Sequence, residues 1–247
     1  MEIRDSVVLI TGASRGLGRE IARLFARRGA RLIMTARGAA ALEGAAAALG
    51  GADSLAIPGD VADPAHAERL VRAGLVRFGR IDVLINNASA LGPAPMPRLE
   101  ALSPRAFDEI VRVNVTGPLR LAQLVLPQMK ARRDGVIINV TSDAALAAYP
   151  GWGGYGASKA ALEHLSRVLA AELDGSGIRV YVVDPGDMNT QMHRDADPGA
   201  DLSHLPGPEV PAPAFVRLVE AETAPFARVS APEIEGGTPV AAQDAVR

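Results

Sequence analysis

Residues 6–18 read S-V-V-L-I-T-G-A-S-R-G-L-G. The first six form an almost continuous apolar run, which is typical of a strand buried on both faces of a parallel sheet. Gly12, Gly16 and Gly18 allow a tight turn and a close approach to the backbone, and an amphipathic helix is predicted from there to Gly29. A strand, a glycine turn and a helix N-terminus together indicate a cradle for a pyrophosphate.

The alternation of apolar strands and amphipathic helices continues along the chain. It predicts an α/β fold in one domain, a Rossmann-type doubly wound parallel sheet of about seven strands with helices on both faces. After the first strand, further strands are predicted within residues 30–36, 54–63, 81–89, 135–142, 178–186 and 226–230. Helices are predicted at residues 38–50, 64–78, 104–131, 152–174 and 212–223.

The length of 247 residues fits one such domain, to which we assign residues 1–231. Within it, residues 187–211 contain four prolines and little periodicity. They are predicted to form a substrate loop over the carboxyl edge of the sheet. Residues 232–247 are predicted to be a mobile C-terminal tail.

Composition excludes several classes of function. The net charge of −2 disfavours binding to nucleic acid or to a membrane surface, and no apolar run approaches the ~18 residues that span a bilayer. Without a signal-peptide pattern, the chain is expected to be cytoplasmic. The absence of cysteine excludes disulfides and thiolate catalysis. The histidines show no metal-ligand spacing, so no metal site is predicted, and we interpret them as surface or loop residues: His66, His164, His193 and His204.

Residues 142–159 can bring a hydroxyl, a phenol and an ammonium into one pocket, from Ser142, Tyr155 and Lys159. Tyr155 and Lys159 are four residues apart at the start of an Ala-rich helix, so they share one face. The nearby cation and the helix N-terminus predict a depressed pKa for the Tyr155 phenol. Lysine is also rare here, because only Lys130 and Lys159 are lysines among 26 Lys and Arg residues.

The end of the second predicted strand bears on the choice of dinucleotide. A carboxylate there would bind the ribose 2′-hydroxyl of NAD, but the chain has Thr35, Ala36 and Arg37 instead. Arg37 and Arg15 could clamp a 2′-phosphate. The sequence therefore predicts NADP(H), with NAD(H) the less favoured cofactor. Arginine is abundant in this chain, so the missing acid is the stronger part of the argument.

Polar residues at other predicted strand ends extend this site. Asp60 could hydrogen-bond the adenine amine, with Val61 packed nearby. Asn86 and Asn87 end the fourth strand, where the carboxyl edge of the sheet meets a ligand. Asn114 lies inside a long predicted helix, which indicates a bend or a buried hydrogen bond there.

Taken together, residues 3–190 resemble the short-chain dehydrogenase/reductase family. The segment T-G-A-S-R-G-L-G matches the family's T-G-x-x-x-G-x-G, and N-N-A-S is similar to its N-N-A-G. Ser142, Tyr155 and Lys159 match its catalytic set at the usual interval, and Asn114 its fourth catalytic position. The segment P-G-D-M-N-T, residues 185–190, resembles its nicotinamide-binding turn, with Thr190 on the carboxamide.

The resemblance implies a role for each catalytic position. Tyr155 would exchange the proton, Ser142 would hydrogen-bond the substrate oxygen, and Lys159 would hold the nicotinamide ribose and lower the Tyr155 pKa. Asn114 would hold a water that links Lys159 to solvent. The expected cofactor contacts are Gly12, Ser14, Arg15, Gly16, Leu17, Gly18, Arg37, Asp60, Val61, Asn87, Ala88, Tyr155, Lys159, Pro185, Gly186, Met188 and Thr190.

Two features depart from the family pattern. Ser89 replaces a usual glycine beside the expected nicotinamide pocket, which predicts a narrower pocket. The chain also lacks a common D-G-G ending, which bears on the tetramer contacts of the family. The resemblance implies a homodimer or homotetramer, with a dimer formed through the helices at 104–131 and 152–174.

These residues predict an NADPH-dependent carbonyl reductase, or an alcohol dehydrogenase in reverse, that acts on a small carbonyl or alcohol substrate. An apolar pocket is predicted from Leu91, Met96, Leu146, Trp152, Met188 and Met192. The alternatives are a non-catalytic NADP(H)-binding regulatory protein on the same fold and a 3-oxoacyl-thioester reductase. A sugar-nucleotide epimerase or dehydratase is disfavoured, because such relatives have a longer chain and a different glycine spacing.

Overall fold

Seven parallel strands form one sheet in the order β3-β2-β1-β4-β5-β6-β7. This computed structural model describes residues 1–221 and 223–234. The strands are β1 (Val7–Thr11), β2 (Arg31–Thr35), β3 (Ser54–Ala56), β4 (Val83–Asn86), β5 (Gly135–Val140), β6 (Ile178–Asp184) and β7 (Phe226–Ser230). The predicted doubly wound α/β fold is confirmed.

Helices connect the strands and cover both faces of the sheet. They are α1 (Gly16–Arg27), α2 (Ala39–Ala47), α3 (Pro64–Phe78), α4 (Pro104–Val111), α5 (Gly117–Arg132), α6 (Gly153–Glu172), α7 (Gln191–Ala196), α8 (Ala212–Glu220) and α9 (Ala231–Ile234). Short 3₁₀ helices occur at Leu99–Ala101 and Asp143–Ala145. Within the described part of the chain, no helix is both long and apolar enough to cross a membrane.

The side chains of β1 alternate between two hydrophobic clusters, one on each face of the sheet. Val8 and Ile10 face a cluster that includes Phe25 of α1 and Phe215 of α8. Val7 and Leu9 face the opposite cluster, to which α3, α5 and α6 contribute. Because successive side chains of a strand point to opposite faces, a continuous apolar run is what a sheet covered on both sides requires.

The strand order reverses between β1 and β4. From β1 the chain runs outward through β2 to β3, then returns to β4 on the other side of β1. In an open α/β sheet, the crevice at the carboxyl ends of such strands is where ligands bind. The glycine turn after β1 and the loop after β4 therefore meet at the place where a dinucleotide is expected.

The predicted helix at 104–131 is interrupted. Arg112–Thr116 form a π-helical segment between α4 and α5, with Asn114 fully buried inside it. The expected bend or buried hydrogen bond at Asn114 is thus confirmed. Gly117 follows the segment because α5 runs close to the loop after β3, where an added Cβ would lie 2.9 Å from the Val61 carbonyl oxygen.

Three other expectations need correction. Residues 187–211 are not all loop, because they contain α7. His66 is not a surface or loop residue, since it lies on α3 and is 1% exposed. Residues 231–234 form α9, whereas the rest of the predicted tail, 235–247, lies outside the described residues.

The buried carboxylate of Asp82 links the start of β1 to the start of β4. Asp82 is fully buried and accepts hydrogen bonds from the Val7 amide at 2.8 Å, from Arg80 Nε at 2.6 Å and from Arg132 Nη2 at 3.0 Å. Arg80 and Arg132 are 45% and 27% exposed, so removal of the Asp82 carboxylate mainly leaves the buried Val7 amide without an acceptor.

We expect Asp82→Ala to lower the free energy of unfolding by about 1–3 kcal/mol, because the buried Val7 amide loses its acceptor and two partly exposed arginines lose their partner. Urea denaturation of the purified protein measures this loss. Asp108→Ala, at an exposed position of α4, is the matched control and should change stability by less than about 0.5 kcal/mol. Similar losses in both variants would refute the assignment of Asp82 as the residue that links β1 to β4.

Candidate active site

The glycine turn after β1 has no room for a side chain at Gly12 or Gly18. Gly12 and Gly16 have φ angles of 66° and 54°, in the left-handed region that favours glycine. A Cβ on Gly18 would lie 2.5 Å from both Asn87 Nδ2 and the Gly12 carbonyl oxygen. The predicted tight turn is confirmed, since it packs against its own backbone and against the loop after β4.

Thr11 and Asn87 hold this turn against the loop after β4. Thr11 Oγ1 accepts hydrogen bonds from the backbone amides of Asn87 at 3.0 Å and Ala88 at 2.9 Å. In return, Asn87 Nδ2 donates to the carbonyl oxygens of Thr11 at 2.9 Å and Gly12 at 3.3 Å. Asn86 does not face the ligand side as expected, because it is buried and donates to Asn139 Oδ1 at 2.8 Å.

A cleft of about 1550 Å³ lies over the carboxyl ends of the strands. Most of the expected cofactor contacts line it: Gly12, Ser14, Arg15, Gly16, Leu17, Arg37, Asp60, Val61, Asn87, Ala88, Tyr155, Lys159, Pro185, Met188 and Thr190. Gly18 and Gly186 are not among the residues that line it. Gly18 is packed behind Gly12, and the Gly186 amide donates to Asp184 Oδ1 at 3.0 Å.

Only part of the expected apolar pocket borders this cleft. Leu91, Met188 and Met192 line it, whereas Met96, Leu146 and Trp152 do not. Trp152 instead packs edge-to-face on the Tyr155 ring with 5.7 Å between centroids. Thr190 accepts a hydrogen bond from the His193 amide and so begins α7. Sequence reasoning missed three cleft-lining arginines, Arg19, Arg112 and Arg194.

Tyr155 and Lys159 lie on one face of α6, as predicted from their spacing. Lys159 Nζ is 5.5 Å from the centroid of the Tyr155 ring and donates to the Val140 carbonyl oxygen at 2.8 Å. Both side chains are buried, with 8% and 2% exposure respectively. A phenol and an ammonium thus meet at the inner wall of the cleft.

Ser142 follows β5 at the same corner, but its hydroxyl is engaged locally. Ser142 Oγ donates to Asp143 Oδ1 at 2.9 Å and accepts from the Ala144 amide at 3.2 Å. Asp143 also accepts from the Tyr149 phenol at 2.7 Å. Ser142 is not among the residues that line the cleft. Sequence reasoning missed the Asp143 carboxylate because no spacing pattern marks it.

Comparison with known proteins identifies the family of this chain. A family model described as short chain dehydrogenase matches residues 6–201. An uncharacterized oxidoreductase of Thermotoga maritima is 40% identical over 195 residues, which cover 77% of this chain and 75% of that protein. The chain belongs to the short-chain dehydrogenase family.

Solved structures of two other family members share the fold closely. A metagenomic short-chain oxidoreductase in complex with NADP has a TM-score of 0.80 at 27% identity, covering 93% of this chain and 97% of that one. The 3-ketoacyl-(acyl-carrier-protein) reductase of Brucella melitensis, complexed with NADH, has a TM-score of 0.81 at 30% identity, covering 93% and 98%. The chain is thus an oxidoreductase of this family, and a nicotinamide cofactor is supported without a choice between the two dinucleotides.

Burial dominates the ionisation of the two groups on α6 in this short-chain dehydrogenase. It raises the pKa of Tyr155 to about 12, although hydrogen bonds with the hydroxyls of Ser89 and Ser142 act in the opposite direction. Burial also lowers the pKa of Lys159 to about 8, although the carboxylates of Asp184 and Glu163 act to raise it. The depressed phenol pKa expected from the sequence is therefore wrong for this structure, because loss of solvent outweighs the groups that lower the pKa.

The side chain of Asn114 is fully occupied by protein partners. Its Oδ1 accepts from the Ala90 amide at 2.8 Å and from Ser89 Oγ at 3.2 Å. Its Nδ2 donates to the Ala90 carbonyl oxygen and to Ser158 Oγ, both at 2.9 Å. An asparagine amide has two donors and two lone pairs, so the Asn114 side chain has no position left for a further hydrogen bond. The Asn114 side chain instead joins the loop after β4 to α6.

A buried ionic network lies behind Lys159. Glu163 is 4% exposed and accepts from Thr141 Oγ1 at 2.7 Å, while Arg228 Nε lies 3.1 Å from both of its carboxylate oxygens. Arg228 Nη2 also lies 3.8 Å from Asp184 Oδ2. Burial raises the pKa of Asp184, while the Gly186 amide and Arg228 lower it.

The edge of the cleft near Arg37 is supported by the buried His66. Thr35 Oγ1 donates to the Ile57 carbonyl oxygen at 2.7 Å, so it accepts from His66 Nε2 at 2.8 Å. Nδ1 then accepts from Arg69 Nη2 at 2.9 Å, which requires a neutral ring. Burial, followed by the Arg69 charge, lowers the pKa of His66. The apolar spacing of α3 around this position could have indicated a buried side chain.

We expect Gly18→Ala to weaken nicotinamide dinucleotide binding by more than about tenfold, roughly 1.4 kcal/mol. The added methyl group collides with backbone and with Asn87, so the turn must open. Isothermal titration calorimetry with NADPH and NADH measures the effect. Gly44→Ala in α2 is the matched control, because a Cβ there meets nothing within 4 Å. Unchanged affinity in Gly18→Ala would contradict the assignment of the turn.

Proposed function

We propose that the protein is an NADP(H)-dependent oxidoreductase that interconverts a carbonyl and an alcohol on a small, largely apolar substrate. The observation that carries this proposal is the position of the Tyr155 phenol beside Lys159 on the wall of a cleft that begins at a glycine turn. One end of the cleft offers backbone to a pyrophosphate, and the other offers a proton donor.

The residues of the cleft fit a dinucleotide. Gly12 and Gly16 line the cleft, so their backbone would face a phosphate that binds there. Asp60 and Val61 line the cleft near Arg37 and would contact the adenosine half. Pro185 and Met188 line the cleft and would contact the nicotinamide half. The cofactor, when bound, supplies or accepts the hydride.

Tyr155 holds the proton that the carbonyl oxygen would receive. A phenol with a pKa of about 12 stays protonated at neutral pH and can deliver its proton to a carbonyl oxygen as that oxygen gains charge. Lys159 places an ammonium 5.5 Å from the ring, which stabilises the phenolate left behind. Ser142 would hydrogen-bond the substrate oxygen after turning away from Asp143.

The preference for NADP(H) rests on charge. Arg15 and Arg37 line the cleft, and Thr35 and Ala36 place no carboxylate at the end of β2. Two guanidinium groups near a 2′-phosphate favour NADPH, whereas an acid at this position would favour NADH. Because the contacts lie near solvent, salt should weaken the preference.

The main alternative within the family is reduction of a 3-oxoacyl thioester, as the name of the Brucella melitensis relative suggests. Apolar side chains in the cleft, such as Leu91 and Met192, are compatible with an acyl chain. A non-catalytic NADP(H)-binding regulator is less favoured, because such a protein does not need Tyr155 and Lys159 together in the cleft. A panel of ketones, alcohols and 3-oxoacyl thioesters separates the three functions.

We further propose a homodimer or homotetramer that uses the faces of α4, α5 and α6. Phe107, Leu119 and Val168 lie on these helices and are each more than a third exposed. Apolar side chains on neighbouring helices favour burial in a subunit interface. Analytical ultracentrifugation measures the oligomeric state.

We expect Tyr155→Phe to lower kcat for ketone reduction by about 10²–10⁴-fold, the usual contribution of general acid catalysis. NADPH affinity should stay close to that of the unmodified protein, since the ring remains and only the hydroxyl is lost. Steady-state kinetics and fluorescence titration with NADPH measure the two quantities. Near-normal turnover would show that Tyr155 is not the proton donor.

We expect NADPH to be preferred over NADH by at least about tenfold in kcat/KM at low salt, the equivalent of roughly 1.4 kcal/mol. Ala36→Asp should shift the preference towards NADH, because it repels the phosphate and offers the 2′-hydroxyl an acceptor. Ala131→Asp, at an exposed position on α5, adds the same charge elsewhere and should leave the ratio unchanged. Equal kcat/KM for both cofactors in the unmodified protein would exclude a phosphate clamp by Arg15 and Arg37.

A further inference from the structure

Residues 58–60 follow β3 and reach the cleft beside the end of β2. The Gly59 amide donates to the Ala36 carbonyl oxygen at 3.0 Å, and both residues line the cleft. Asp60 and Arg37, the next residues along each segment, also line it. We call residues 58–60 the adenosine segment, because the adenosine half of a dinucleotide would bind against them. The position of this segment determines the shape of that part of the cleft.

The imidazole of His66 packs against the adenosine segment from below the cleft. A Cβ added to Gly59 would overlap Nδ1, Cε1 and Cγ of the ring, so the ring lies directly against the Gly59 backbone. His66 is 1% exposed and is held on α3. Any movement of the ring therefore requires movement of a backbone segment that lines the cleft.

Hydrogen bonds join the ring to three elements. His66 Nε2 donates to Thr35 Oγ1, at the end of β2, at 2.8 Å. Nδ1 accepts from Arg69 Nη2, on α3, at 2.9 Å. The same Arg69 nitrogen donates its other hydrogen to the Pro58 carbonyl oxygen at 3.2 Å. The neutral ring thus connects β2 and α3 to the first residue of the adenosine segment.

A proton on Nδ1 would break this arrangement. Nδ1 would become a donor facing a guanidinium donor, and two positive charges would be in contact. Arg69 would have to move, so the Pro58 carbonyl oxygen would lose its hydrogen bond as well. Burial, followed by the Arg69 charge, lowers the pKa of His66, while the carboxylates of Asp63 and Asp60 raise it by less. Thr35, the partner on β2, carries no charge.

We propose that His66 is a positioning residue for the adenosine half of the dinucleotide, because its neutral ring holds the adenosine segment in the shape that binds this half. The inference rests on the proposed function for the dinucleotide, but not for the carbonyl chemistry. The affinity is then complete above the pKa of His66 in the unliganded protein and falls as the pH drops through it. By the same linkage, a bound dinucleotide makes the ring harder to protonate.

The first test measures the affinity for ADP-ribose by calorimetry from about pH 8 to pH 5, the range in which histidines titrate. ADP-ribose contains the adenosine half and the pyrophosphate, and it lacks the 2′-phosphate of NADPH, which would itself titrate at about pH 6. We expect the unmodified protein to lose affinity on the acid side, by up to about tenfold per pH unit. Circular dichroism defines the pH range in which the protein is folded.

Two variants show whether His66 causes this loss. His66→Gln has an amide that can donate to Thr35 and accept from Arg69 without titrating, so it should bind at neutral pH and show no loss on the acid side. His164→Gln, at an exposed position of α6, is the matched control and should keep the loss. A pH-independent affinity in the unmodified protein, or the same acid-side loss in His66→Gln, overturns the proposal.

The second test needs no variant of His66. The chain has four histidines, so ¹⁵N-histidine labelling and substitution of the other three assign the His66 ring signals by elimination. We expect a neutral ring protonated on Nε2 at pH 7, in keeping with its partners. Saturating ADP-ribose should move its titration midpoint to lower pH and leave that of His164 in place. Each unit of this shift equals about a tenfold difference in affinity between the neutral and charged rings.

The outcomes of the second test separate the two proposals. A ring protonated on Nδ1 at pH 7, or a His66 midpoint that ADP-ribose does not move, overturns the positioning role. A merely structural histidine would stabilise the fold without this response to the ligand. Failure of the proposed function looks different, because no ketone or alcohol would then be turned over although ADP-ribose still binds and shifts the His66 midpoint.

Discussion

The reciprocal hydrogen bonds between Thr11 and Asn87 set the geometry on which the cleft depends. One hydroxyl at the end of β1 accepts two backbone amides from the loop after β4, and one amide side chain returns two hydrogen bonds to the glycine turn. These groups lie at the point where the strand order reverses. The turn that would cradle a pyrophosphate and the loop that carries Ser89 are therefore positioned by the same four bonds.

From this point the loop after β4 connects to α6. Asn114 joins Ala90 to Ser158, which lies next to Lys159 in sequence, and Ser158 Oγ also donates to the Tyr155 carbonyl oxygen at 2.6 Å. The π-helical segment turns Asn114 into this contact, since a regular helix would place the side chain elsewhere. The two halves of the cleft are thus coupled through one fully satisfied amide, and a saturated buried network of this kind favours a single arrangement.

The sequence predicted the parts of this structure that follow from spacing. The two-faced apolar run of β1, the glycine turn and the shared face of Tyr155 and Lys159 depend on local periodicity, and all three are found as expected. The sign of the Tyr155 pKa shift was wrong because it depends on burial by distant segments, which spacing does not report. His66 and Asn86 were misplaced for the same reason, as their partners Thr35 and Asn139 lie 31 and 53 residues away.

The cation of the ionic network next to Lys159 is Arg228, which lies outside the residues that the family model matches. The family model ends at residue 201, whereas Arg228 lies on β7. Its guanidinium contacts the carboxylates of Glu163 and Asp184 near the predicted catalytic residues. A fragment cut at residue 201 would retain Ser142, Tyr155 and Lys159 but leave two buried carboxylates without their counter-ion. The end of the matched segment is therefore not the end of the folded unit, since β7 completes the sheet and carries Arg228.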